Sequence, residues 1–258
     1  MGHQKAALEI LTQLYTPQSA MQTPMGRMLV SWYARFDVFV GVMSGFGTAL
    51  PREWFAAYVN YCSSQAATRP DSLRWKIDEC SGQVRLISRD MSILSARSHR
   101  GEISPEDFSV EHDILLKRIQ DFRAGWDFAL TDPSYLVTDF GNERLVDADD
   151  IVNPYMPGDL YDSPIFATTL LISEWHSMMI MHKIQSSTPD RMQLYGELAA
   201  HAYAICHIFE AVEFWPGSPK GSLILIQACI ALAVLFLPQD SKHHMWIRRK
   251  FALLETMG

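Results

Sequence analysis

The stretch LRWKIDECSGQVRLISRDMSIL, residues 73–94, decides the fold class. Its apolar residues Leu73, Ile77, Cys80, Val84, Ile87, Met91 and Leu94 alternate in steps of four and three through three heptads. Only a helix returns such residues to one face, so the segment reads as a long packed helix whose seam is satisfied within the chain or by a second copy. The first is the simpler reading. Its outward arginines, Arg74, Arg85, Arg89 and Arg97, then form a solvated face.

Helical periodicity continues outward in both directions. Upstream, Thr23-Pro24 supplies an N-cap and first-turn proline. Met25, Met28, Leu29, Trp32, Tyr33, Phe36, Phe39, Val40 and Met43 then make one wide apolar stripe. Leu50-Pro51 opens another helix carrying Trp54, Phe55, Tyr58, Val59 and Cys62. Downstream, Ser104-Pro105-Glu106-Asp107 combines a cap, a proline and two acids at the positive end of a helix with Phe108, Leu115, Ile119, Phe122, Trp126 and Leu130 inward. Residues 131–162 lose the period through Asp132-Pro133, Phe140-Gly141, Asn153-Pro154 and Pro157-Gly158, and read as one long irregular acidic loop. Ser163-Pro164 restarts helix, and 165–184 is apolar on nearly every face. Thr188-Pro189 caps a further helix ending before Pro216, Leu223 to Leu237 forms a core helix stopped by Pro238, and Ser241 to Met257 is the last, with Gly258 at its C-cap. The expectation is an all-α globular bundle of about eight helices, a single domain over 1–258.

Composition narrows the function classes. The 258 residues carry a net charge of −7, with 48% apolar and 20% charged side chains. Such a chain has ample material for a core and is a poor neutraliser of a phosphate backbone. The charge is local: residues 101–162 hold 4 basic and 15 acidic groups, while the rest nets +4. The four cysteines, Cys62, Cys80, Cys206 and Cys229, form no CxxC pair, which argues against a zinc knuckle and for small buried side chains in a reducing compartment. There is no signal-peptide pattern, and the longest apolar run spans roughly 22 Å as helix, short of a ~30 Å hydrocarbon layer. No membrane partner is expected.

Four constellations invite chemistry. Asp147, Asp149, Asp150 and Asn153 resemble an aspartate-rich magnesium motif, but they end at Asn153-Pro154 in a loop instead of lying one helical turn apart. Glu197-x₃-His201 and His207-x₂-Glu210, with Glu213 beyond, have helical metal-site spacings without the order a di-iron bundle requires. His176 and His182 do not share a face, and Cys206-His207 lie about 100° apart on a helix, a poor nucleophile and base. Lys242, His243, His244, Arg248, Arg249 and Lys250 form a basic stretch whose interleaved Met245, Trp246, Ile247 and Phe251 mark it as surface cations around a core stripe. There is no P-loop, nucleophile elbow or dinucleotide glycine pattern. No catalytic residue or metal ligand set is assigned.

Two longer blocks carry a family resemblance. RMLVSWYARFDVF at 27–39, followed by LPREWF at 50–55, and FLPQDSKHHMWIRRKFALLETMG at 236–258, resemble the fungal-specific transcription factor domain, the regulatory region of fungal zinc-binuclear-cluster regulators. The resemblance implies an α-helical regulatory domain of a nuclear protein, without catalysis, controlling transcription of pathway genes. It implies DNA contact only through a separate six-cysteine module holding two zinc ions. That module is absent from this sequence, so zinc and DNA belong to it and no cofactor is expected here. The block ends at Gly258, where family members continue, which leaves a fragment, a shortened chain or a relative without the DNA reader as readings. A small-molecule effector or co-regulator protein is the expected partner, together with a homodimer, and no residue set marks an effector pocket. Arg35, Asp37, Arg52 and Glu53 are expected to form ion pairs at helix junctions. Two other readings are a Mg-dependent helical enzyme of the terpene-synthase class, using the acidic loop, and an interaction scaffold dimerising through the 73–94 seam.

Overall fold

A computed structural model describes residues 2–141, 143–186 and 190–257. The chain is all-α, and among these residues it forms ten α-helices rather than about eight. The two additions are α1 (Gly2–Leu14), amphipathic at the helical period, and α2 (Pro17–Met21), five residues long; both precede the first stripe. The others are α3 (Pro24–Ser44), α4 (Arg52–Thr68), α5 (Leu73–His99), α6 (Pro105–Ala124), α7 (Phe166–Lys183), α8 (Arg191–Phe214), α9 (Ser222–Ala233) and α10 (Ser241–Glu255). They fall into two compact units, Met1–Asp127 and Phe128–Gly258. The proposed caps at Thr188-Pro189 and Gly258 lie outside the described residues; α8 starts from Asp190, whose carboxylate accepts the Gln193 amide at 2.9 Å.

In the first unit, local chemistry sets the helix starts. Thr23 Oγ1 accepts the Gly26 amide and Ser104 Oγ accepts the Asp107 amide, both at 3.0 Å, each followed by proline at the first helical position. These bonds satisfy amides that the first turn leaves unpaired. α5 packs on α3, α4 and α6, and its seam is spent inside the unit: Val84, Ile87, Met91 and Leu94 are all buried. Its arginine face is not simply solvated. Asp90 collects Arg52, Arg89 and Arg118 at 3.0–3.3 Å, and Arg97 pairs with Glu111 at 2.8 Å.

α3 departs from its expected single stripe. Val30, Tyr33, Ala34, Asp37 and Gly41 face the core, while Met25, Met28, Trp32, Phe36, Phe39 and Met43 are 38–67% exposed. Both sides are apolar, so periodicity alone does not choose between them. The choice is fixed by Asp37, which is wholly buried: the amides of Ala49 and Leu50 donate to it at 3.0 and 2.8 Å, and Gln4 Nε2 donates at 2.6 Å. Asp37 thus anchors the α3–α4 turn through backbone donors, correcting its expected place in an ion-pair set; Arg52 does pair across helices, with Asp90. Gly41 lets the returning chain approach closely, since a Cβ there would lie 2.8 Å from the Gly47 carbonyl.

In the second unit, α7 and α9 pack against α8. The central position expected of 165–184 is borne out by buried Leu171, Ile172, Met178, Met179, Ile180 and Met181. The segment between α6 and α7 lacks regular periodicity but is more than a solvated loop. Two 3-10 turns and a bridge between Leu136 and Tyr161 organise it, and Val137, Phe140, Leu160 and Tyr161 are buried. Among the described residues, no helix is long and apolar enough to cross a membrane.

Candidate functional site: an arginine-lined cavity

In the first unit, α3 and α5 each carry a line of polar residues at helical spacing. On α3 it runs Arg27, Ser31, Arg35; on α5 it runs Arg74, Asp78, Arg85. Residues four, seven or eleven apart stand above one another on a helix, so each line shares a face. The two lines border one cavity of about 330 Å³, with Pro24, Met28, Trp32, Tyr58, Cys62 and Trp75 completing its walls. Four guanidinium groups against one carboxylate give this space a strongly positive character inside a chain of net charge −7.

The cations are held in different ways. Arg27 donates from Nη1 to the Met21 carbonyl at 2.6 Å and lies 4.6 Å from the Tyr61 ring centroid. Arg85 donates from Nη1 to the Ser81 carbonyl at 2.6 Å, while its Nε is buried without a hydrogen-bond partner. Arg74 lies 3.7 Å from Asp78 and 5.3 Å from the Trp75 ring centroid. Burial raises Asp78 above the usual carboxylate range, against the pull of Arg74, Arg85 and Arg27. Burial likewise pushes the Tyr58 hydroxyl and the Cys62 thiol up to about 12. Neither is therefore an anionic nucleophile near neutral pH. Guanidinium groups and aromatic faces around one space suit the capture of a small anion.

The constellations singled out in sequence do different work. In the acidic loop, Asp150 is buried and accepts both terminal nitrogens of Arg144 at 2.7 and 3.0 Å and the Asp147 amide at 2.8 Å. The Arg144 fork holds its carboxyl below the usual range. Asp147 accepts the Asp149 amide at 3.2 Å, Asn153 accepts the Tyr155 amide at 3.0 Å, and Arg249 donates to the Asp149 carbonyl at 3.0 Å. These oxygens organise the loop. The α8 residues separate: Glu197 meets Lys183 at 2.5 Å and Gln193 at 3.0 Å, and His201 Nδ1 stands 2.9 Å from His176 Nδ1 on α7. Burial is the main cause lowering His201. His182 is buried in α7. His207 packs against Gly158, where a Cβ would come within 2.8 Å of its ring. Cys206 is buried and its thiol pushed up, chiefly by desolvation.

The basic stretch of α10 is split between surface and core. Lys250 is buried, with Nζ 2.7 Å from Glu210 and 2.6 Å from Glu213. Trp246 Nε1 donates to Glu210 at 2.6 Å. His243 is buried between Asp240, at 2.8 Å, and the Tyr203 hydroxyl, at 2.7 Å. His244 meets Gln239 at 3.1 Å. Lys250 and His243 are thus taken out of any phosphate-facing patch. Among the described residues, no group of three or more His, Cys, Asp or Glu is placed to hold a metal ion. Compared with family profiles, with curated proteins and with solved structures, the chain matches none.

Proposed function

We propose that this chain is a non-catalytic regulatory domain of the fungal-specific transcription factor type, and that its first unit senses a small anionic ligand bearing a flat apolar or aromatic group. DNA would be reached through a separate cysteine-rich module, in the nucleus, and pathway genes would be the output. The resemblance of residues 27–39, 50–55 and 236–258 supports the regulatory assignment. The observation that carries the ligand class is the cavity itself: Arg27, Arg35, Arg74 and Arg85 around one space, with Trp32 and Trp75 beside them. Guanidinium groups recognise carboxylate or phosphate, and aromatic faces recognise a flat apolar body. Its volume sits at the lower end of ~300–1,000 Å³ for small-molecule sites.

The test is a melting-temperature and calorimetric titration with benzoate, phenyl phosphate and the neutral isostere benzamide. Benzoate or phenyl phosphate should stabilise the chain at millimolar concentration, benzamide should not, and Arg35→Ala and Arg74→Ala should each weaken the effect at least about fivefold. Equal stabilisation by benzamide, or indifference of both variants, would overturn the ligand class.

A further inference from the structure

From Met25 to Met43, every exposed residue of α3 is methionine or aromatic. The residues are Met25, Met28, Trp32, Phe36, Phe39 and Met43, and Phe46 extends the line just past the helix end. A helix side that stays in water normally carries charged and polar residues. Here the cations of α3, Arg27 and Arg35, border the cavity instead, and its acid, Asp37, is buried. Trp32, the most exposed of the six at 67%, stacks on Phe36 with ring centroids 6.4 Å apart. The side is therefore a continuous apolar surface, of a size that monomeric proteins rarely leave open.

We infer that this side of α3 is a homodimer interface, occupied by α3 of a second copy. Three observations choose this occupant. First, from Met25 to Met43 the six helical residues recur every 3.6 positions on average, the α-helix period, so they keep to one line along α3 that an equal helix of a second copy can follow. Second, the stripe is self-complementary about its middle. Aromatic Trp32, Phe36 and Phe39 lie between Met28 and Met43, so a two-fold axis near Phe36 sets rings on rings, Met28 on Met43 and Met25 on Phe46. Third, the area fits. At these exposures the stripe presents on the order of 700 Å² per chain, so a symmetric pair would bury about twice that, within the ~1,200–2,000 Å² of a standard interface. A lipid surface is the weaker match, because an interfacial helix carries lysine and arginine along its polar side and that side of α3 is core. The 73–94 heptads are unavailable for this role, since their buried members already pack within the unit.

The experiment is sedimentation velocity on the full chain from 1 to 100 µM, with Trp32→Glu, Phe36→Glu and, as a control on an exposed loop residue, Leu145→Glu. A wild-type dimer, kept by L145E and weakened at least about 100-fold by W32E or F36E with unchanged helical circular dichroism, supports the interface. Should the glutamate variants lose helix content, Phe36→Cys decides. The central residue lies beside its own copy across the axis, so mild oxidation should join two chains far faster than in wild type. A monomer throughout the range overturns the proposal, whether α3 then captures another protein or sediments with phosphatidylcholine vesicles. So does a dimer indifferent to both α3 substitutions, or a Phe36→Cys chain that oxidises no faster than wild type.

Discussion

Replacing Lys250 by methionine tests the buried charge cluster of the second unit most directly. Lys250 is 5% exposed and stands between two carboxylates, Glu210 at 2.7 Å and Glu213 at 2.6 Å, with the Phe214 and Trp246 rings 5.2 and 5.5 Å from its ammonium. Lys250→Met keeps the length and apolar stem but removes the one cation bonded to both acids. Glu210 Oε1 would keep only the Trp246 indole, and Glu210 Oε2 already lacks a partner. Breaking a buried pair from one side costs roughly 3–5 kcal/mol, so melting should fall by about 10 °C at pH 7.5. The sign of the pH dependence follows from Glu213, which burial raises above the usual carboxylate range even with Lys250 present. In the variant it rises further. The folded state then binds more protons than the unfolded one, and its stability is retained at low pH and lost as pH rises through the raised value. The deficit of Lys250→Met relative to wild type should therefore shrink between pH 7.5 and pH 5, read by thermal melting in circular dichroism. Glu210→Gln combined with Lys250→Met should cost at least about 1 kcal/mol less than the sum of the single changes. A melting temperature within about 2 °C of wild type at pH 7.5, or a deficit that grows on acidification, would refute this reasoning.

Two further perturbations probe other joints. Asp150→Asn should loosen the loop by about 1–2 kcal/mol, Arg144 being partly solvated, and speed its cleavage in limited proteolysis at pH 7. The Asp150 carboxyl is held low by Arg144, so its contribution is present above the ordinary aspartate range and is lost as pH falls through the lowered value. Gly41→Ala should cost about 1–3 kcal/mol in urea unfolding, because the new methyl would meet the Gly47 and Thr48 backbone at 2.8–2.9 Å. Gly196→Ala, in open space on α8, should instead stabilise by about 0.5–1 kcal/mol.

What could be read from residues alone follows the range of the interaction that decides each feature. Thr23-Pro24 and Ser104-Pro105 mark their helices because a cap and its amide lie three residues apart. The core character of α7 is equally legible, since apolar residues on every face leave one reading. The solvent side of α3 was not legible: its two apolar faces are equivalent until Asp37 meets amides twelve and thirteen residues on. Lys250 read as a surface cation because its acids lie on another helix, 37 and 40 positions upstream. The cavity failed to emerge for the same reason. Arg27, Ser31 and Arg35 form a visible line on one helix, and Arg74, Asp78 and Arg85 on another, but facing them requires the packing of α3 on α5.

Met28 and Trp32 belong to two surfaces at once, since both wall the arginine cavity and both stand in the exposed row of α3. Atoms shared between two binding sites make their free energies dependent on each other, and that dependence is reciprocal by thermodynamic necessity. No hinge or long relay between distant residues is needed to connect them. Under the proposed anion binding and α3 pairing, dose-response curves for an anion would shift in midpoint with the amount of protein in the tube.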